Sequence, residues 1–363
     1  ASQAHLEDAA SRYPTDVKLL AGYGDLLLAH GEFREVDRII RRLRGIDGAR
    51  SQVAELKILS AAARDDQAEV RQLLQALTPR NRTSENSLKI LPNVINLAEK
   101  AGDYQFAIAL AKEYVANVPK SKLSLARLEA FYGDPDKGLE MLRSLFNNED
   151  YNPDNVLDLV VKMYRRRRPD VGDALDVKVN ELIRIALRRD RESARRLISR
   201  AEVRETQGQH NDAIAAYEEL LAREDVPRLI RATALNNLAY LIALANKSDK
   251  FDVALAAANE SVDLMGPLSD VLDTRAVVYL ARGDFEQALH DMELAILVDR
   301  TASKYYHLAK AQLGVGRTED ALQSWQEAVN LGVGPDSISP LEQGGLRDFA
   351  EKIKAIETSS GQL

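Results

Sequence analysis

Histidine is the side chain best suited to moving protons near neutral pH, and it occurs five times, at His5, His30, His210, His290 and His307. No two stand at metal-ligand spacing and no His-Glu-x-x-His is present, so the histidines are expected as surface or hairpin residues. Cysteine is absent, which removes disulfides, thiolate metal sites and thiol nucleophiles in one step. Gly314-Val315-Gly316 and Gly332-Val333-Gly334 have the start of a phosphate-binding loop but neither the Lys-Ser/Thr continuation nor the third glycine, which makes them helix terminators. No Gly-x-Ser-x-Gly elbow occurs, and paired carboxylates such as Glu218 and Glu219 are ordinary on solvated helix faces. The expectation is a chain without catalytic residues, metal or cofactor.

One stretch does concentrate charge. Between Lys162 and Arg204, 14 Lys and Arg stand against 7 Asp and Glu, within a chain of net charge −7. Arg166, Arg167, Arg195, Arg196, Arg200 and Arg204 are the candidates for holding an anion. Arg196, Arg200 and Arg204 recur every four residues, in one row on a helix, where like charges repel by a few tenths of a kcal/mol per pair. Negative charge near them could be internal, from Glu181, Asp190, Glu192 or Glu202, or external, from phosphate, nucleic acid or an acidic protein segment. Nucleic acid is disfavoured because Tyr164 is the single aromatic in the stretch and offers little for bases to stack on. From Asp249 to Asp299, 11 acidic residues face 3 basic ones, so self-association through opposite charges is a third reading.

The elements that position these groups follow from composition and spacing. At 363 residues the chain exceeds one compact domain, and 45% hydrophobic residues with only 19 Gly and 11 Pro suit helices more than sheets. No apolar run reaches the roughly 18 residues needed to cross a bilayer, and residue 1 starts no signal peptide. A soluble chain without membrane insertion is expected, in the cytoplasm or a periplasm.

A repeat is visible in Gly31-Glu32-Phe33-Arg34-Glu35-Val36, Gly102-Asp103-Tyr104-Gln105-Phe106-Ala107 and Gly283-Asp284-Phe285-Glu286-Gln287-Ala288. Weaker copies end at Val70, Gly138, Ala174, Ala213, Ala254 and Ala321, in steps of about 31 to 41 residues. Glycine ends one helix, an aromatic packs across the turn, and a small residue lets the second helix approach the first. Apolar stripes such as Leu235, Leu238, Ala239 and Ile242 are too narrow to be buried within one hairpin, so the hairpins must stack.

A period near 34 with Gly-x-aromatic-x-x-Ala at the hairpin and Pro119 near a repeat end resembles the tetratricopeptide repeat. Residues 235–299 and 304–331 match best, and residues 139–200 match poorly. The resemblance implies an all-α, right-handed superhelical solenoid of about nine helix-turn-helix repeats with a C-terminal capping helix. It also implies a non-catalytic protein–protein interaction scaffold, binding an extended peptide or protein segment on a concave face of first helices. Asn236, Tyr240, Asp273, Val277, Tyr306, His307 and Lys310 are the candidate contacts. Some members clamp a C-terminal carboxylate with Lys and Asn; the corresponding places here hold Asn236 and Tyr240, then Thr274, then Ser303 and His307, so that clamp is missing. Arg204 falls where the family has a large buried residue, and its guanidinium should therefore find a partner.

The expected organisation is as follows. Residues 1–14 form the second helix of a truncated preceding repeat, as in a fragment of a longer protein, and 15–147 are N-terminal repeats. Residues 148–227 are irregular basic central repeats, 228–334 well-matched repeats, and 335–363 a capping helix and tail.

Overall fold

The computed structural model describes residues 3–146, 148–171, 173–189, 193–335 and 337–360, with backbone alone at 3, 4, 167–171, 173, 174, 188, 189, 359 and 360. Every regular element among them is helical, in two compact units, Ala1–Val171 and Gly172–Leu363. No described helix is long and apolar enough to cross a membrane.

The first unit runs α1 (Gln3–Arg12), α2 (Val17–Ala29), α3 (Phe33–Arg44), α4 (Arg50–Ala63), α5 (Gln67–Leu77), α6 (Glu85–Lys100), α7 (Tyr104–Asn117), α8 (Lys122–Tyr132), α9 (Pro135–Phe146) and α10 (Pro153–Val171). Helices α2/α3, α4/α5, α6/α7 and α8/α9 are hairpins; α1 packs on α2, and α10 on α8 and α9. The second unit runs α11 (Asp173–Arg189), α12 (Ala194–Thr206), α13 (His210–Leu221), α14 (Arg228–Leu244), α15 (Phe251–Met265), α16 (Ser269–Arg282), α17 (Phe285–Val298), α18 (Ala302–Gly314), α19 (Thr318–Asn330) and α20 (Gln343–Ser360). Its hairpins are α12/α13, α14/α15, α16/α17 and α18/α19, with α11 on α12 and a 3-10 turn, Pro340–Glu342, leading into α20.

The repeat reflects two steric demands. The small or aliphatic residue closing the marker sits where helices cross: Val36, Val70, Ala107, Ala213, Ala254, Ala288 and Ala321 are all wholly buried, while the side chain of Ala174 lies outside the described residues. At Gly138 the approach is tighter still, since a Cβ there would overlap the backbone of Ala130. Every described hairpin turn except that of α8/α9 has a left-handed residue, supplied by Gly102 at φ 78° but by Asp65 at φ 60° and Asn246 at φ 51° in two other turns. The backbone thus repeats where the glycine does not, because Asp and Asn tolerate this region better than other side chains do.

Stacking supplies the core that a single hairpin lacks. One apolar cluster runs from Ile58 in α4 to Leu128 in α8, and others run from Leu197 to Val278 and from Leu272 to Ile353. Each buried Leu or Ile contributes about 1.5–3 kcal/mol of apolar transfer, shared between neighbouring hairpins. Capping and stacking meet at Asp103, which accepts from the Phe106 amide at the start of α7 and pairs with Arg71 of the preceding hairpin.

Candidate functional site

In the second unit the first helices α14, α16 and α18 lie side by side, and Tyr240 of α14 and His307 of α18 meet the carboxylate of Glu342, while Asp273 of α16 takes the other nitrogen of His307. The Tyr240 hydroxyl donates to Glu342 Oε2 at 2.9 Å. His307 uses both ring nitrogens, Nε2 to Glu342 Oε1 at 2.8 Å and Nδ1 to Asp273 Oδ1 at 2.6 Å. Glu342 itself is 5% exposed although it lies in a short turn. Its position is fixed on the C-terminal side by α20, where Phe349 packs edge-on against Tyr306 and Trp325, each at 5.6 Å, and Ile353 is buried. On the other side Ser339 caps the turn through the Leu341 amide.

The electrostatics follow from this enclosure. Burial works against a charged His307, but Asp273 and Glu342 outweigh it and push its pKa up to about 9, so the ring is an imidazolium at neutral pH and donates both N–H groups. Burial raises the Glu342 carboxyl, yet His307 and Tyr240 hold it below the usual carboxylate range. Tyr240 is pushed up by burial and by Glu342. Lys310 is pushed down by burial; its ammonium lies 5.0 Å from the Tyr306 ring centroid and makes no ion pair among the described residues. Asn236, one turn before Tyr240, has a buried Oδ1 without a hydrogen-bond partner among the described residues.

The structure therefore brings six of the seven face residues around a segment of the same chain, and Asn236 lies beside them. Val277, Tyr306 and His307 are buried, and His307 thereby departs from the expectation that the histidines lie at the surface or in hairpins. The reason is the pair of carboxylates, which makes a fully desolvated imidazolium tenable. Sequence reasoning missed Glu342, which carries no motif, and Lys304, buried between Asp270 at 2.7 Å and Asp299 at 2.6 Å. A histidine with both nitrogens given to carboxylates has no lone pair for a substrate. No group of three or more His, Asp or Glu among the described residues could hold a metal ion.

The arginine candidates are dispersed. Arg166, in the first unit, lies over the Tyr132 ring at 4.7 Å, and Tyr132 stacks on Tyr104 at 4.0 Å. The Arg167 side chain lies outside the described residues, as do Asp190 and Glu192. In the second unit Arg196 is buried and donates to the Ala186 carbonyl at 3.1 Å, Arg200 pairs with Glu219, and Arg204 donates to Gln209. Arg195 is exposed. Arg200 of that row thus meets an acid of α13, Glu219, which the sequence reading did not single out as its partner. A groove of about 820 Å³ between α11, α12 and α13 is lined by Val177, Glu181, Arg184, Leu197, Arg200 and Arg204, among others.

No family model and no curated protein matches the sequence. Among solved structures, yeast Tom70 is similar with a TM-score of 0.54 at 14% identity, over 98% of this chain and 85% of that one. A tetratricopeptide repeat protein from Parabacteroides merdae gives 0.41 at 14% identity, over 80% of this chain and 96% of that one. At these identities the likeness concerns fold, and it agrees with the hairpin turns and crossing residues described above. In fold, the chain is a tetratricopeptide-type helical-repeat protein.

Proposed function

We propose that this chain is a non-catalytic protein–protein interaction scaffold that holds an extended protein segment across α14, α16 and α18. One observation carries the reading: that face already holds Glu342 of its own chain, through Tyr240 of α14 and His307 of α18, with Asp273 of α16 holding the other side of the His307 ring. A face with an aromatic hydroxyl, an imidazolium, an ammonium and an amide offers the donors that an extended backbone and its acidic side chains need. Peptides selected on the wild-type chain from a displayed library should bind Tyr240→Ala and Lys310→Glu variants at least about tenfold more weakly. Equal binding to both variants would place the site elsewhere.

A second reading, an anion-binding module for phosphate, nucleic acid or an acidic protein segment, draws support from Arg184, exposed on the α11–α13 groove and unpaired among the described residues. Against it, Arg166, Arg196, Arg200 and Arg204 are each already engaged within the chain. It requires binding with a steep salt dependence that Arg184→Glu and Arg195→Glu abolish.

A further inference from the structure

The chain's own segment fits this face incompletely. Of the described residues between Pro335 and Gly345, Glu342 alone is buried; Leu341 is half-buried and Pro340 is exposed. The stretch lies between Gly332-Val333-Gly334 and Gly344-Gly345, and a Cβ at Gly344 would meet nothing within 4 Å. Beneath it remains a cavity of about 450 Å³, lined by Leu244, Val277, Leu280, Tyr306 and Lys310 together with Leu341. The segment thus pairs with one cation of the face, His307, and leaves the other, the half-buried Lys310 ammonium, within the field of Glu342 and Asp273 but in no ion pair among the described residues, beside a groove that Leu341 does not fill. An ammonium in a partly desolvated place gains from a carboxylate at pairing distance, which Glu342 and Asp273, both engaged with His307, do not supply, and apolar lining without contact is costly.

We infer that residues 337–345 are a tethered, displaceable occupant, and that the external partner is an extended segment carrying an aliphatic residue followed by Glu, with a second acidic side chain within reach of Lys310. This rests on the reading that the face binds extended segments, and it adds which chemistry it accepts and how access is controlled. The partner's Glu takes the place of Glu342 between Tyr240 and His307, its aliphatic side chain fills the cavity that Leu341 leaves, and its second carboxylate meets Lys310. A tethered competitor acts at an effective concentration of about millimolar, so it lowers the apparent affinity of every free ligand by the fraction of time it is docked.

The test uses the full chain and a fluorescein-labelled, end-blocked peptide with the sequence of residues 337–346, and it reads anisotropy alongside hydrogen exchange at 337–345. Glu342→Gln keeps the shape of the segment but removes its charge; Leu341→Ser weakens the segment without touching the helices and serves if the first variant folds poorly. The expected result is faster exchange at 337–345 in either variant and peptide binding at least tenfold tighter than to wild type. The same peptide with Gln in place of Glu should bind at least tenfold more weakly. If the peptide binds wild type and variants equally, or if 337–345 stays as protected as α16 in both variants, displacement is overturned while the binding face stands. If the segment is released and the peptide still does not bind, the binding face itself is overturned. Equal binding of the Glu and Gln peptides would overturn the assigned partner chemistry.

Discussion

Two charged regions of this chain use their side chains in opposite ways. Around Glu342 a few ionisable groups are taken out of water and joined across four elements, so each depends on the others. On α10 and α12 the arginines meet separate groups, Arg166 a ring, the buried Arg196 a carbonyl, Arg200 a carboxylate and Arg204 an amide, with no one acid shared among them in these contacts. Charge density alone is therefore a poor guide to a site: in the densest basic stretch Arg166, Arg196, Arg200 and Arg204 are each engaged by a group of the same unit, while a segment with a single glutamate organises the other face. Desolvation makes the difference, since the same pair is worth several times more in a dry setting than at the surface.

The contrast can be broken most forcefully at Glu342. Replacing Glu342 with Ala leaves a buried imidazolium with half its compensation, a loss of about 3–5 kcal/mol in the C-terminal hairpins. Urea unfolding followed through Trp325, the one tryptophan and a neighbour of Phe349 and Tyr306, reads it directly. A loss below about 1 kcal/mol would place the clasp in the same class as the surface arginines.

pH gives the next largest effect. His307 is raised from 6.5 to about 9 in the folded chain, so its contribution, about 3 kcal/mol, is fully present below about pH 6.5 and is lost as pH rises through about 9. Glu342 is lowered from 4.5, so its contribution is present above that value and disappears as pH falls through the depressed one. Denaturation midpoints of the Trp325 transition should therefore fall on both sides, between pH 7 and 10 and below pH 4. The His307→Gln variant should lose the alkaline limb.

Smaller effects separate the regions further. Tyr240→Phe removes one hydrogen bond to a charged carboxylate and should cost about 1.5–3 kcal/mol by the same unfolding measurement. Arg200→Ala breaks a pair whose acid, Glu219, is 60% exposed, and should cost below about 1 kcal/mol, falling further in salt. A cost near that of Tyr240→Phe would mean that the arginine row is as tightly coupled as the clasp.

The helical repeat was legible because its demands are local. Small residues recur where helices cross, so spacing alone exposed Ala107, Ala288 and Ala321, and the copies near Asp65 and Asn246 are weaker because Asp or Asn takes the left-handed turn, with Gln67 in the aromatic's place in one and a 3-10 turn, Ser248–Lys250, added in the other. The face residues on α14, α16 and α18 were also within reach, through the resemblance. Their occupant was not. Glu342 lies 102 residues from Tyr240 and 35 from His307, pairings that no periodicity encodes. The apolar pattern of Leu346, Phe349 and Ile353 announces a capping helix but says nothing of the residue that enters the face just before it. Likewise, the row Arg196, Arg200 and Arg204 could be placed on one helix, but its acid on α13 depends on how the hairpin closes.

The central claim is that the first-helix face of the last hairpins is organised around the Glu342 carboxylate through a charged His307. Nitrogen-detected NMR of the chain labelled at histidine measures this without reference to stability. At pH 8 the account predicts one imidazole, absent in His307→Gln, with both nitrogens protonated, titrating near 9 and shifting downward in Glu342→Gln. A His307 that titrates near 6.5 in the wild-type chain, unchanged by Glu342→Gln, would contradict it.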